Sequence, residues 1–332
     1  METVVTNLEQ SVLEKSFGAG FEVTMPSPAL PLTIKATGAV NCTEWAAEHK
    51  SILNELLLEE GAILLRGFPI GSAQGFNKMF SEVAGEPMEY KNRTSPRDKV
   101  YNNIYTSTSH PSDQVIQMHT ENSYSLAYNR IIAFYCLVPP RKGGETPIAD
   151  ERKLLKSLSA ATVRQFREKG VMYLRNTIPG IGLNWQTIYQ TDDRQTVNAY
   201  LDKNKFEYAW LEEDHLRVKW VLPAFQPHPL TGEELWFNHL FFGLKAHYPE
   251  EVLEYFADDE LPFVTRYGDG SEIESSVINE FKDFYARNAV VFKWEKDDFL
   301  LLDNMMFSHG RNAYEGSRTI LTAMAQPHPF VR

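Results

Sequence analysis

Hydrophobic and polar positions change period several times along the 332-residue chain. Residues 1–38 alternate polar and apolar around Pro26, Pro28 and Pro31, which predicts an extended leader with one strand. Trp45, Ile52, Leu53, Leu56 and Leu57 then share one helical face. They predict a helix capped by Thr43, running to about Glu60 and stopped by Gly61. Ala62–Phe68 reads as a short buried strand, and Ser72 as the cap of a second helix ending near Gly85. Lys91–Pro111 is polar, holds Arg93, Arg97 and two prolines, and reads as a loop long enough to be functional.

The apolar and aromatic run Arg130–Val138 predicts a strand. Gly143–Ala149 reads as a turn into another short strand. From Asp150 to about Leu201 the pattern is mainly helical. Ser159 caps Ala160–Glu168, Gly170 stops it, and Tyr173–Gln190 has no clean period. Strands are expected over Phe206–Leu211, Leu216–Phe225 and Glu234–Leu240. Surface helices follow over Pro249–Ala257 and Glu272–Ala286, and then strands over Ala289–Trp294, Phe299–Asp303 and Arg318–Ala325.

Many short strands, with helices gathered in the first third and in inserts, predict an α+β chain that is mainly β: a barrel or jelly roll with helical decoration. Strands and helices do not alternate as a doubly wound parallel sheet requires. With no repeat or low-complexity linker, residues 1–332 read as one domain. Its parts are an N-terminal helix and strand flank (1–90), a jelly-roll core (100–150 and 206–332) and an insert (150–205) able to serve as a lid.

Composition narrows the classes. Hydrophobic residues make up 43%, with 20 Phe, 15 Tyr and 6 Trp, enough for a sizeable core. The formal charge of −11 argues against nucleic acid as a partner. Cys42 and Cys136 lie in unlike contexts, so a disulfide framework is not expected and a reduced compartment fits. The first residues lack a basic, then apolar, signal pattern, and no run approaches the roughly 20 apolar residues of a membrane span. The expected location is the cytoplasm, with no membrane partner.

Candidate chemistry gathers at three residues. His119 and Glu121 stand two apart, so an extended segment turns both side chains to one face. His309 lies beyond a strand and a tight turn, and Arg318 begins a later strand. Two imidazoles and a carboxylate are the facial set that binds non-haem Fe(II) and leaves open positions. Arg318 is the residue type suited to an anionic co-substrate. Alone, a His-x-Glu triplet also describes a strand with two outward polar residues. The same three ligands suit Zn and hydrolysis, or a metal-binding protein without turnover. His110, His215, His228 and His247 lack ligand spacing, and His239 either lines the site or packs.

These residues together resemble the TauD/TfdA superfamily of Fe(II)/2-oxoglutarate dioxygenases. Gly61–Phe68 is similar to its N-terminal G-x-x-x-x-R-G-F stretch, and Gly143-Gly144-Glu145-Thr146 to the turn whose Thr contacts co-substrate. Trp294 through Asp303-Asn304 leads into the distal His as in that family. The carboxylate ligand is Glu rather than Asp, as in the clavaminate synthase-like branch. Tyr105-Thr106-Ser107-Thr108, Glu121-Asn122-Ser123-Tyr124, Trp236-Phe237-Asn238 and Tyr267–Ser271 resemble the SyrP-type proteins of nonribosomal peptide pathways.

The resemblance implies a double-stranded β-helix and Fe(II) on His119, Glu121 and His309. It also implies 2-oxoglutarate on Arg318 and Thr146, O₂ as co-substrate, and hydroxylation of an amino-acid-type substrate, free or tethered to a peptidyl carrier protein. Desaturation and cyclisation stay open, whereas a halogenase lacks the carboxylate that Glu121 supplies. Thr322 stands where some members carry a second Arg, which argues against sulfonate recognition. Substrate-pocket candidates are Asn122 and Ser123 beside the ligands, Arg93 in the preceding loop as a carboxylate partner, Gln186 in the insert, and Asn238.

Overall fold

A computed structural model of the chain describes residues 10–90, 97–108 and 110–332. Its largest sheet has eight strands, in the order Phe21–Thr24, Leu32–Ala36, Ala62–Arg66, Phe299–Asp303, Ala127–Val138, Thr319–Pro329, Ile104–Thr106 and Lys99–Tyr101. Neighbours are antiparallel except Leu32–Ala36 against Ala62–Arg66. The central strand Ala127–Val138 is buried on both faces. Ile131, Ala133 and Tyr135 join one core with Leu53, Leu57, Phe76 and Phe80 of the N-terminal helices. Ile132, Phe134 and Cys136 join a second core on the opposite face. Such two-sided burial explains its nearly unbroken apolar sequence. Each fully buried large side chain contributes roughly 1.5–3 kcal/mol relative to exposure.

A three-stranded sheet lies beyond that second core: Ile116–His119, Phe307–Arg311 and Ile148–Asp150. A four-stranded sheet, Glu207–Trp210, Leu216–Leu222, Val171–Thr177 and Phe263–Tyr267, adds a further wall. The mixed architecture, many strands joined by helices, is in keeping with the expected jelly roll with helical decoration, although α-helix and strand residues are about equal in number.

Several elements differ from expectation. The helix expected over 43–60 is two, Cys42–Glu48 and Lys50–Glu60. The first is capped by Asn41, not Thr43, and the break falls at His49, whose Nδ1 reaches Trp45 O at 2.8 Å and whose ring stacks on Trp45. Gly61 ends the second with φ +78. Ser72 caps Ala73–Ala84 as expected, its Oγ accepting from Gly75 N. The leader carries a helix, Gln10–Phe17, and two strands rather than one.

The polar loop contains the short strands Lys99–Tyr101 and Ile104–Thr106, which complete the edge of the large sheet. Within 150–205 the helices Glu151–Ser157 and Ala160–Lys169 form, but Val171–Thr177 is a strand, buried along its whole length. Burial on both faces removes the alternation that would mark it. It pairs with Leu216–Leu222 on one side and Phe263–Tyr267 on the other. Ala289–Trp294 forms no strand beyond one bridge, Ile148 to Val290.

Candidate active site

His119 is the last residue of Ile116–His119, and His309 lies inside Phe307–Arg311. The two are register partners across an antiparallel pair, with ring centroids 4.5 Å apart. Glu121 does not continue the strand; it sits in the turn that follows. Asn304 holds that turn in place. Its Oδ1 accepts from Glu121 N at 2.8 Å, and its Nδ2 donates to Glu121 O at 2.9 Å and Asn129 O at 2.8 Å. One side chain therefore ties the segment bearing His119 and Glu121 to the turn that leads into His309.

Behind Asn304, Asp303 accepts from Arg130 at 2.7 Å and His228 at 3.0 Å, and from the Met305 and Met306 amides. The turn is thus fixed by buried, paired groups.

One potential ligand atom from each of His119, Glu121 and His309 lies within 4.8 Å of the others. The Nδ1 of His119 is 2.8 Å from Gln117 O. A carbonyl only accepts, so Nδ1 carries the proton and Nε2 is left as a lone-pair donor. Burial, with Glu121 opposing, lowers the His119 pKa; burial together with His119 and Arg97 drives His309 well below its ordinary value. Both imidazoles are therefore neutral, as a metal requires. Burial alone would raise the Glu121 carboxyl, but the Arg97 guanidinium beside it holds it lower than usual. A neutral, neutral, anionic donor set of this kind fits a divalent cation.

Tyr90 donates to Glu121 Oε1 at 3.0 Å, and Arg97 pairs with Oε2. The Nε and NH1 of Arg97 are buried and have no partner among the described residues. Phe134 meets the His309 ring edge-on, with centroids 4.9 Å apart, and forms an apolar floor.

The same cavity, about 240 Å³, reaches Thr146, Ser107 and Arg318. The Nε of Arg318 donates to Gly144 O at 2.9 Å, and its terminal nitrogens lie 3.4 Å from Ser107 Oγ and Thr146 Oγ1. Among the described residues it has no carboxylate partner. Burial, then the nearby Arg311, pushes it down to about 10, so it remains a cation at neutral pH without a counter-ion. The hydroxyl of Thr146 already accepts from Trp294 Nε1 at 3.2 Å, which leaves its own proton to donate.

Gly144 makes this arrangement possible. Its φ is +70, and a Cβ there would lie 2.9 Å from Tyr314 Cβ and 3.0 Å from Arg318 Cδ.

The remaining sequence candidates lie elsewhere. Asn122, at φ +60, donates to Asn129 Oδ1 at 2.9 Å. Ser123 Oγ donates to Thr120 O, and Asn238 bonds Ala224 O and Leu240 N. Gln186 reaches Asp214 at 3.1 Å. None of these four lines the cavity, and Arg93 lies outside the described residues. The cavity lining instead includes Arg97, from the same loop as Arg93, and His239. The His239 ring is edge-on to His119 at 5.2 Å, and its Nδ1 lies 3.2 Å from Thr120 O. The one sequence signal for Arg97 is that the loop before the ligands carries a second Arg.

Residues 27–324 match the family model described as taurine catabolism dioxygenase TauD, TfdA family. The dapdiamide synthesis protein DdaC of Enterobacter agglomerans is 35% identical over 305 residues, covering 91% of this chain and 92% of that protein. A clavaminate synthase-like protein of Arabidopsis thaliana is 25% identical over 316 residues, covering 92% and 94%. Among solved structures, PvcB, an Fe, alpha-ketoglutarate dependent oxygenase from an isonitrile synthetic pathway, superposes with a TM-score of 0.54 at 14% identity. That superposition covers 92% of this chain and 91% of PvcB.

Proposed function

The chain belongs to the TauD/TfdA dioxygenase family, and we propose that it oxidises an unactivated C–H bond of an amino acid or amino-acid-derived small molecule in natural-product biosynthesis. The enzyme class is that of a 2-oxoglutarate-dependent non-haem iron dioxygenase, with Fe(II) as cofactor and 2-oxoglutarate and O₂ as co-substrates. In our reading His119, Glu121 and His309 hold the iron, and Arg318 and Thr146 hold the far carboxylate of 2-oxoglutarate. Bound Fe(II) supplies the O₂ chemistry, in which 2-oxoglutarate is oxidised to succinate and CO₂ and the substrate C–H becomes C–OH.

The protein's own contribution is placement. Asn304 aligns the two ligand segments, and the Gln117 carbonyl keeps His119 Nε2 free of a proton. Phe134 and Phe241 line the reacting space with apolar surface that displaces water. The observation that carries the reading is the half-buried Arg318 guanidinium, which has no carboxylate partner among the described residues and lies in the cavity that also holds the three-ligand cluster. A hydrolytic Zn site has no use for it. The relative named for dapdiamide synthesis supports the natural-product setting. The presence of Glu121 favours hydroxylation over halogenation.

The direct test is equilibrium dialysis of 2-oxoglutarate against iron-loaded protein under anaerobic conditions, with Arg318→Met and Thr146→Val beside the wild type. Binding that depends on iron and weakens about 10- to 100-fold in Arg318→Met is expected, the range for losing a charge-assisted pair. No binding to the iron-loaded wild type would contradict the reading.

A further inference from the structure

This inference rests on the dioxygenase reading and concerns what the cavity admits beside 2-oxoglutarate. Among the described residues three guanidiniums, Arg97, Arg311 and Arg318, line the cavity against one carboxylate, Glu121. A dication and the dianion 2-oxoglutarate, added together, leave that imbalance unchanged. Arg311 spends its terminal nitrogens on the carbonyls of His110, Pro111 and Gln114, and so is committed to the loop. Arg318 belongs to the co-substrate. Of the three, Arg97 is the one that keeps two donors, Nε and NH1, without a partner among the described residues.

In the structure Arg97 leans on Glu121 through NH2 and lies over the Tyr90 ring, 4.7 Å from its centroid. Its side chain is 5% exposed, and its Nε and NH1 are buried without partners among the described residues. Once Glu121 shares its charge with a metal, Arg97 becomes a buried cation with spare donors, a costly state unless a second anion arrives.

We propose that Arg97 is the anchor for a free carboxylate of the substrate, which makes the substrate an amino acid or amino-acid-derived acid rather than a carrier-bound thioester. A thioester has spent that carboxylate and offers no charge to match. His239 supplies the complementary acceptor. Thr120 O fixes the proton on its Nδ1, so Nε2 presents a lone pair. An N–H or O–H of the substrate matches it. A carboxylate and an N–H group occur together in an α-amino acid. Arg97 is thus a specificity-determining residue, distinct in role from the iron ligands.

The test compares free L-amino acids with the same amino acids as C-terminal amides. Each is titrated anaerobically into protein loaded with Fe(II) and 2-oxoglutarate, and binding is followed by thermal shift and calorimetry. The wild type is expected to prefer acids over amides by about 10- to 100-fold, the range for a charge-assisted bidentate pair. Arg97→Gln, compared at matched iron and 2-oxoglutarate occupancy, should reduce the preference to within about 3-fold, and Arg97→Lys should restore part of it. A preference that survives in Arg97→Gln overturns the inference. So does a wild type that treats acids and amides alike or binds no member of the panel. The wild-type comparison needs no variant to fold. Failure of 2-oxoglutarate itself to bind the iron-loaded wild type removes the dioxygenase reading and this inference with it, whereas loss of the acid preference alone removes the inference alone.

Discussion

Two buried Arg–carboxylate pairs brace the turns around the ligands, and they are built to different standards. At Arg130–Asp303 the guanidinium gives NH1 to Asp303 at 2.7 Å and its other nitrogens to Gln326 at 2.9 and 2.6 Å. Asp303 also accepts from His228 and two amides. At Arg97–Glu121 the carboxylate is met by Tyr90 and one nitrogen of Arg97, and the other two nitrogens have no partner among the described residues. Buried polar groups in folded proteins are nearly always satisfied. The first pair follows that rule and holds the backbone. The second departs from it beside the cluster of His119, Glu121 and His309, where incoming ligands can complete it. Of these two pairs, the satisfied one holds the backbone, and the incomplete one lies beside the three-residue cluster.

The largest effect should come from breaking each pair in turn. Asp303→Ala leaves Arg130 buried and alone, and is expected to cost about 3–5 kcal/mol in urea unfolding, whether or not metal is present. Arg97→Gln should destabilise the apo protein by a comparable route but recover most of the loss on adding Fe(II), because the metal takes over the neutralisation of Glu121. If metal rescues both variants equally, or neither, the contrast between the pairs fails. Next in size is the effect of His119→Ala, read as iron content. Loss of one of three protein ligands should lower affinity by at least 10-fold, with little change in unfolding midpoint for the apo protein.

A smaller effect sharpens the boundary between scaffold and site. Glu151 is fully buried, accepts from Tyr285 at 3.1 Å, and keeps Oε2 without a partner among the described residues. Burial pushes its carboxyl up to about 8 against an ordinary 4.5, with Ser308 and Tyr285 pulling partly back. The fold therefore holds the proton that the unfolded chain releases. This contribution is complete below about 4.5 and is lost progressively as pH rises to about 8. Glu151→Gln should flatten that decline, by on the order of 5 kcal/mol across the window. A slope unchanged in the variant would assign the decline to other groups. The smallest effect belongs to the exposed Arg141–Glu315 pair, where Arg141→Ala should move stability by less than about 0.5 kcal/mol.

How much of this the sequence reveals follows the same division. Metal chemistry restricts residue type so strongly that His119, Glu121, His309 and Arg318 stand out from their spacing and company. The elements around them were legible where caps and alternation survive, as at Ser72, Gly61 and Ser159. They were obscured where tertiary burial overrides local pattern. Val171–Thr177 is buried on both faces and so shows no period. The break at His49 falls inside a continuous helical period, so the apolar pattern alone does not show it. Arg97 is hidden for a related reason. A lone Arg in a polar loop looks solvated until the fold sets it against Glu121. Asn122 and Ser123, adjacent to the ligands in sequence, bond the scaffold instead, since they lie in a turn rather than in the strand that carries His119.

The central claim is that one cavity joins a three-residue iron site to a 2-oxoglutarate site and uses both. The most direct measurement is succinate formation by anaerobically Fe(II)-loaded protein after addition of 2-oxoglutarate and O₂, across a panel of free amino acids and carrier-protein thioesters, with His119→Ala as control. The account predicts succinate stimulated by a free amino acid and absent from the variant. Succinate formed equally by wild type and His119→Ala would contradict it.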